Sequence, residues 1–170
     1  MMISGLIAAT LLSSVACGYA LVGLGTFLPE YMEVVAIPTF LNRTQRFELE
    51  ARLTDAVARE FVSRGNFRIV GDPTGAQALL QGEIISYFVR PLSITRAADA
   101  NSWEVEVRAS VTFTDLVQNK VLFTNSSFQF RDQFEFSGST QNIVDIEIGA
   151  IEEISKEFAT SVVSAILEGF

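Results

Sequence analysis

The chain has 170 residues, a net charge of −8, one cysteine and no histidine. These absences exclude imidazole general bases, Ser-His and Cys-His nucleophile pairs, thiolate zinc sites and an internal disulfide, so we expect a non-enzymatic protein without cofactor or metal. The acidic balance gives no basic surface for a phosphate backbone, which argues against nucleic acid as a partner.

The first predicted element is a leader that ends at the single cysteine. Residues 5–16 are apolar, have the length of a signal-peptide core and end in small residues. The run Ser14-Val15-Ala16-Cys17-Gly18 resembles a lipobox, where bacterial lipoproteins are acylated on cysteine and cleaved before it. We therefore predict a signal peptide over 1–16, a lipidated Gly-rich tether over 17–32 and one domain over 33–170.

The leader departs from the usual lipoprotein pattern at two points. Ser14 stands where leucine is usual, and no Lys or Arg precedes the apolar run. An uncleaved anchor and a buried N-terminal element stay open as alternatives, although Gly23, Gly25 and Pro29 interrupt the apolar stretch that a spanning helix needs. Because Gly18 rather than aspartate follows the cysteine, the outer membrane is the expected destination.

The first part of the predicted domain is a strand followed by a helix. Residues 33–37 form a short apolar β run that Pro38 ends. Thr44 is a plausible N-cap for a helix over residues 47–64, with Gly65 as its C′ residue. Apolar residues recur every four positions along this segment, which predicts one buried helix face: Leu49, Leu53, Val57 and Phe61.

The next part is a series of strands. Residues 67–70 and 78–89 are predicted strands, and residues 90–102 are a predicted long hairpin connection. Residues 103–114 alternate strictly between apolar and polar side chains, which indicates an antiparallel strand with one buried face. A return strand over 121–136 changes the parity of its Phe residues, so we expect a β-bulge near Ser126 and Ser127.

A second long amphipathic helix is predicted from about residue 143 to 168, closed by Gly169. The element order is therefore β-α-β-β-β-β-α. Two helices that must each bury an apolar stripe are most simply placed on one face of the sheet. We predict an α+β fold, with a mixed, mostly antiparallel sheet of four to five strands and both helices packed on one face.

Several of these segments together resemble the lipopolysaccharide-assembly lipoproteins of the LptE type. The resemblance covers nearly the whole chain and rests mainly on residues 17–21, 34–44, 49–54, 60–65 and the Leu-x-Gly-x-Ile strand at 80–84. It implies an outer-membrane lipoprotein, anchored at the periplasmic face through an N-terminal lipid. It also implies that the protein sits inside the β-barrel LptD as plug and assembly partner and helps lipopolysaccharide reach the outer leaflet.

The resemblance also implies candidate lipopolysaccharide contacts. Family members engage the lipid through basic residues near the strand hairpins, and Arg90 and Arg96 occupy the comparable connection, with Arg131 on the following strand. We expect Arg90 and Arg96 to form a locally basic loop. The polar strand face that carries Glu104, Glu106, Arg108 and Thr112 is assigned to solvent or to a barrel wall.

Two other functions stay open at this point. The first is a lipid-anchored periplasmic adaptor or activator of another envelope complex. The second is a carboxylate-based hydrolase, for which Glu152 and Glu153 on the last helix are the nearest acid pair. A solvated helix face explains that pair better.

Overall fold

The computed structural model describes residues 27–94, 100–135 and 143–169. In chain order the elements are β1 (Val34–Ala36), β2 (Leu41–Asn42), α1 (Leu49–Arg64), β3 (Arg68–Val70), β4 (Ala78–Ile94), β5 (Ala100–Asp115), β6 (Lys120–Glu135) and α2 (Ile143–Glu168). The strands lie in one sheet with the order β3-β1-β4-β5-β6, and β2 pairs with β4 off this path.

The sheet is mixed, with a long antiparallel meander of β4, β5 and β6. The short strand β1 runs parallel to both β3 and β4, and β2 runs parallel to β4. The α+β class, the mostly antiparallel sheet and the two long helices are confirmed. The sheet has one strand more than expected, because β2 is two residues long and too short to show any alternation.

The two strands of the β4–β5 hairpin are longer than the sequence predicted, and the connection between them is shorter. β4 continues to Ile94 and β5 begins at Ala100, so most of the expected connection over 90–102 is paired strand. The sequence prediction ended this strand before Pro91, because proline cannot donate to a sheet ladder and is rare inside strands. Beyond Ile84, β5 is the only described strand that pairs with β4. Pro91 therefore lies on an edge strand, where its missing N–H is tolerated.

The predicted bulge in β6 is confirmed. Ala109 pairs with Phe128 and Val111 pairs with Asn125, so Ser126 and Ser127 together lie opposite the single residue Ser110, and β6 has one extra residue there. The bulge changes which face the following side chains occupy. As a result, the phenylalanines on both sides of it lie on the helix-covered face of the sheet.

The core lies between that sheet face and the two helices. Strand β5 contributes five buried residues that pack under the helices: Val105, Val107, Ala109, Val111 and Phe113. Phe158 of α2 packs edge-on against Phe40, Phe128 and Phe130, with ring centroids 5.5 to 6.1 Å apart. Such edge-to-face pairs add to the area that the rings bury.

Two predicted features at the ends of α1 are wrong. Thr44 is not its N-cap, because α1 begins at Leu49 after Glu48, whose φ is 65°. Thr44 instead donates both its N–H (2.9 Å) and its hydroxyl (2.7 Å) to the side-chain oxygen of Asn42. Gly65 is extended rather than left-handed. Close packing and not backbone conformation favours glycine here, since a Cβ at position 65 would lie 2.7 Å from the ring of Phe67.

Candidate functional site

The face of the sheet opposite the helices carries a cluster of charges on its three long strands. Arg90 of β4 pairs in register with Glu104 of β5, and Glu106 pairs with Arg131 of β6. Strand alternation places these four side chains on the same face. We call Arg90, Arg108 and Arg131, together with Glu104 and Glu106, the arginine cluster.

The two glutamates of the arginine cluster are buried although they lie on the polar face. Glu104 is 7% exposed and Glu106 is 4% exposed. Glu104 accepts a hydrogen bond from Arg90 Nε at 2.8 Å. Glu106 Oε2 accepts one from Arg131 Nε at 3.0 Å and a longer one from Arg90 Nη2 at 3.4 Å. Arg108 approaches the other oxygen of Glu106 at 3.5 Å.

These contacts keep Glu106 ionised. Burial raises the pKa of its carboxyl, but the charges and hydrogen bonds of Arg131 and Arg90, with Gln129, favour the anion more strongly. The pKa of Glu106 therefore ends below its usual range. Three guanidinium groups and two carboxylates leave the arginine cluster with one net positive charge.

The arginines keep donors free for a ligand. The side chains of Arg90 and Arg131 are each 52% exposed and that of Arg108 is 44% exposed. A guanidinium has five N–H donors, and the contacts to the glutamates use only some of them. Phe88, which is 55% exposed, lies opposite Glu106 on the same face. The surface therefore offers outward N–H donors beside an apolar ring, which suits an anionic amphiphile.

The structure brings together two of the residues that the sequence singled out. Arg90 and Arg131 both belong to the arginine cluster, but Arg90 lies within β4 and not in a loop. Arg96 and Cys17 lie outside the described residues. The sequence prediction missed Glu104 and Glu106 as buried partners. The alternation along β5 placed both glutamates on the polar face, opposite the helices. Only the register of β5 with β4 and β6 shows that arginines cover them there.

Elsewhere in the part of the chain that the structure describes, acidic groups do not assemble into a comparable site. Glu152 and Glu153 are both exposed on α2, and Glu153 lies 3.7 Å from Lys156. Among the residues that the structure describes, no three or more acidic side chains converge in a way that could hold a metal ion. Neither of the described helices combines the length and the apolar character that crossing a membrane requires.

The sequence also matches a known family. The family model for LptE, described as lipopolysaccharide-assembly, matches residues 32–166. The chain belongs to the LptE family. This membership makes the chain a lipopolysaccharide-assembly lipoprotein of the cell envelope, in a family that is not enzymatic. No curated protein is similar enough to this chain to count as a match.

Solved structures share the fold at low sequence identity. A lipoprotein B from Nitrosomonas europaea has a TM-score of 0.52 at 13% identity, over 84% of this chain and 90% of its own. A PelC dodecamer from Paraburkholderia phytofirmans has a TM-score of 0.51 at 12% identity, over 79% of this chain and 88% of its own. At these identities the likeness concerns the fold alone.

Proposed function

We propose that this LptE-family protein is an outer-membrane lipoprotein that acts as plug and assembly partner of an LptD-type β-barrel. In this role it helps lipopolysaccharide reach the outer leaflet. Family membership supports lipopolysaccharide assembly as the process. The polar sheet face supports the plug, because the lumen of a large barrel is polar and needs a water-compatible surface against it.

The anchor in this proposal is a lipid on Cys17. The signal peptide is residues 1–16, the tether begins at Cys17 and one domain follows over 33–170. Leu28 and Met32 are buried in the core, 7% and 3% exposed, so the last residues of the 17–32 tether already pack on the domain. Replacing Cys17 by serine should release a folded domain into the periplasm. A folding defect in Cys17→Ser would contradict the anchor.

The lipopolysaccharide contact in this proposal is the arginine cluster, with Arg96 in the adjoining hairpin connection. The observation that carries it is the meeting of Arg90 and Arg131, from separate strands, with free donors beside the exposed ring of Phe88. Guanidinium groups bind phosphate through paired, charge-assisted hydrogen bonds. An apolar side chain next to them suits the lipid part of the same molecule.

The binding test replaces the two arginines without reversing their charge. Glutamate at these positions would set a carboxylate beside buried Glu104 and Glu106 and would disturb the fold. The double variant Arg90→Gln/Arg131→Gln should bind purified lipopolysaccharide at least tenfold more weakly than the wild type. The matched control is Arg43→Gln/Arg59→Gln, which removes two exposed arginines elsewhere. Unchanged affinity in the first variant would rule out the cluster as the contact.

The barrel partner is tested separately. A C-terminally tagged protein should co-purify an LptD-type barrel from solubilised outer membranes. If the tag recovers other envelope proteins and no such barrel, the plug role is wrong and the protein is an adaptor of another envelope complex.

A further inference from the structure

One end of the domain carries exposed apolar side chains from three parts of the chain. Phe27 is 78% exposed, Val117 is 63%, Val121 is 53% and Leu122 is 37%. We call these four residues the apolar end. Phe27, Val121 and Leu122 also line one cavity of about 320 Å³, between the chain entry, the C-terminal end of α2 and the β5–β6 turn. These three residues therefore belong to one continuous surface, and Val117 is the chain neighbour of Gln118, which lines the same cavity.

The backbone of the apolar end is fixed by hydrogen bonds. The N–H of Phe27 donates to the carbonyl of Leu167 at 2.7 Å. Its ring lies over Gly169, where a Cβ would come within 2.9 Å of it. The N–H of Val117 donates to Asp115 Oδ1 at 2.8 Å. The fold thus holds these apolar groups in place at the surface.

A β-bulge adds to the exposure. Thr114 pairs with Val121 and Phe113 pairs with Phe123, so Leu122 is an extra residue in β6. In a regular strand successive side chains point to opposite faces, so one of these two residues would face the core. With the bulge, Val121 and Leu122 are both exposed in succession. Lys120 precedes them and supplies a cation at the rim of the same cavity.

The position of the apolar end relative to the tether identifies its partner. Cys17 lies ten residues before Phe27, and ten extended residues span at most about 35 Å. A lipid on Cys17 would bring this end of the domain to the membrane. Exposed apolar side chains with a nearby cation are the composition that enters the headgroup region of a bilayer.

We propose that the apolar end is a membrane-contact surface that inserts Phe27, Val117, Val121 and Leu122 into the interfacial region of the phospholipid leaflet at the periplasmic mouth of the barrel. The proposal rests on the lipid anchor of the proposed function and adds an orientation to it. Trp103 lies twelve residues before Asp115 on β5, which is about 40 Å along the strand. The arginine cluster, which begins at the neighbouring Glu104, thus lies towards the opposite end of the domain from this leaflet.

The test uses the mature lipidated protein in phosphatidylcholine vesicles with brominated acyl chains, which quench indole fluorescence on contact. The only native indole is Trp103. In the background Trp103→Phe, a tryptophan is placed at Val117. Its matched control has a tryptophan at Val62, which is 57% exposed on α1. We expect at least twofold quenching for Val117→Trp and none for Val62→Trp or native Trp103.

The outcomes separate this inference from the anchor. Protein that does not float with the vesicles refutes the anchor and the surface together. Protein that floats while the indole of Val117→Trp stays unquenched refutes the surface alone. In that case the apolar end covers a second copy or a barrel wall. Equal quenching at Val117 and Val62 also overturns the proposal, because the domain would then lie on the membrane in no fixed orientation.

Discussion

The hydroxyl of Tyr31 donates a hydrogen bond to Oδ2 of Asp115, a fully buried carboxylate 84 residues further along the chain. The other oxygen of Asp115 accepts the N–H groups of Val117 at 2.8 Å and Gln118 at 2.9 Å. One carboxylate therefore joins the segment by which the chain enters the domain to the turn between β5 and β6. The shape of the apolar end depends on this group.

The free energy of unfolding should depend on pH through the ionisation of Asp115. Burial raises the pKa of Asp115, but the hydrogen bonds from Tyr31 and from the two turn N–H groups lower it further than burial raises it. With the folded pKa below the unfolded value of about 3.9, its stabilisation is complete above that value and is lost as the pH falls through the folded pKa.

The measurement is urea unfolding of the wild type and Asp115→Asn between pH 7 and pH 3. Asp115→Asn should be less stable at pH 7, and the difference in free energy of unfolding should shrink below about pH 4. Asp55→Asn, at an exposed position of α1, controls for the loss of one carboxylate. A difference that stays constant over this range would mean that Asp115 does not titrate as described.

Close packing at Gly82 gives a second prediction. Gly82 lies on the helix-covered face of β4, and a Cβ there would come within 2.6 Å of the ring of buried Phe40. The N–H of Phe40 donates to Thr54 Oγ1 at 3.0 Å, which limits its movement. Overpacking of this kind typically costs about 1–3 kcal/mol. Thermal or urea unfolding of Gly82→Ala should show a loss of that size.

The control for Gly82→Ala is another glycine of the same chain. Gly149 lies inside α2, and a Cβ there would meet nothing within 4 Å. Since alanine favours helix over glycine by about 1 kcal/mol, Gly149→Ala should stabilise the protein. If both variants behave alike, the ring of Phe40 does not constrain Gly82. Gly82→Ala combined with Phe40→Leu should recover part of the loss.

The fold was largely predictable because its long elements carry strong periodic patterns. The alternation from residue 103 to 114 and the stripe of α2 each repeat over many residues, and a parity change in β6 revealed its bulge. The register between strands was not predictable, because long-range pairing leaves no local pattern. The environment of Glu106 depends on that register, so its burial under Arg90 and Arg131 could be found only in the structure.

The aromatic centre of the core gives a third prediction. Phe158 is fully buried, and its ring packs edge-on against three other rings from a loop and from β6. Removing a buried phenylalanine side chain costs about 3–5 kcal/mol. Phe158→Ala should therefore unfold at a much lower urea concentration than wild type, whereas Phe158→Leu should lose less than half as much. Equal losses would indicate a core that collapses around the cavity.

The last prediction concerns the charge balance of the arginine cluster. Glu106→Gln keeps the shape of the side chain and raises the net charge of the cluster from one to two positive charges. Because Arg90 and Arg131 would then contact an uncharged acceptor, their N–H groups would be more available to an external phosphate. Lipopolysaccharide should bind about threefold more tightly, which corresponds to about 0.6 kcal/mol, and with a steeper salt dependence.

The same variant should lose stability, because a buried carboxylate that accepts charged hydrogen bonds is replaced by a neutral amide. The guanidinium groups are half-exposed, so solvent screens the loss to about 1 kcal/mol. Glu83→Gln is the matched control, since Glu83 pairs with exposed Arg43 at 2.7 Å outside the cluster. It should change neither binding nor stability by more than about 0.5 kcal/mol. Weaker binding by Glu106→Gln would show that the arginines serve the glutamates and not a ligand.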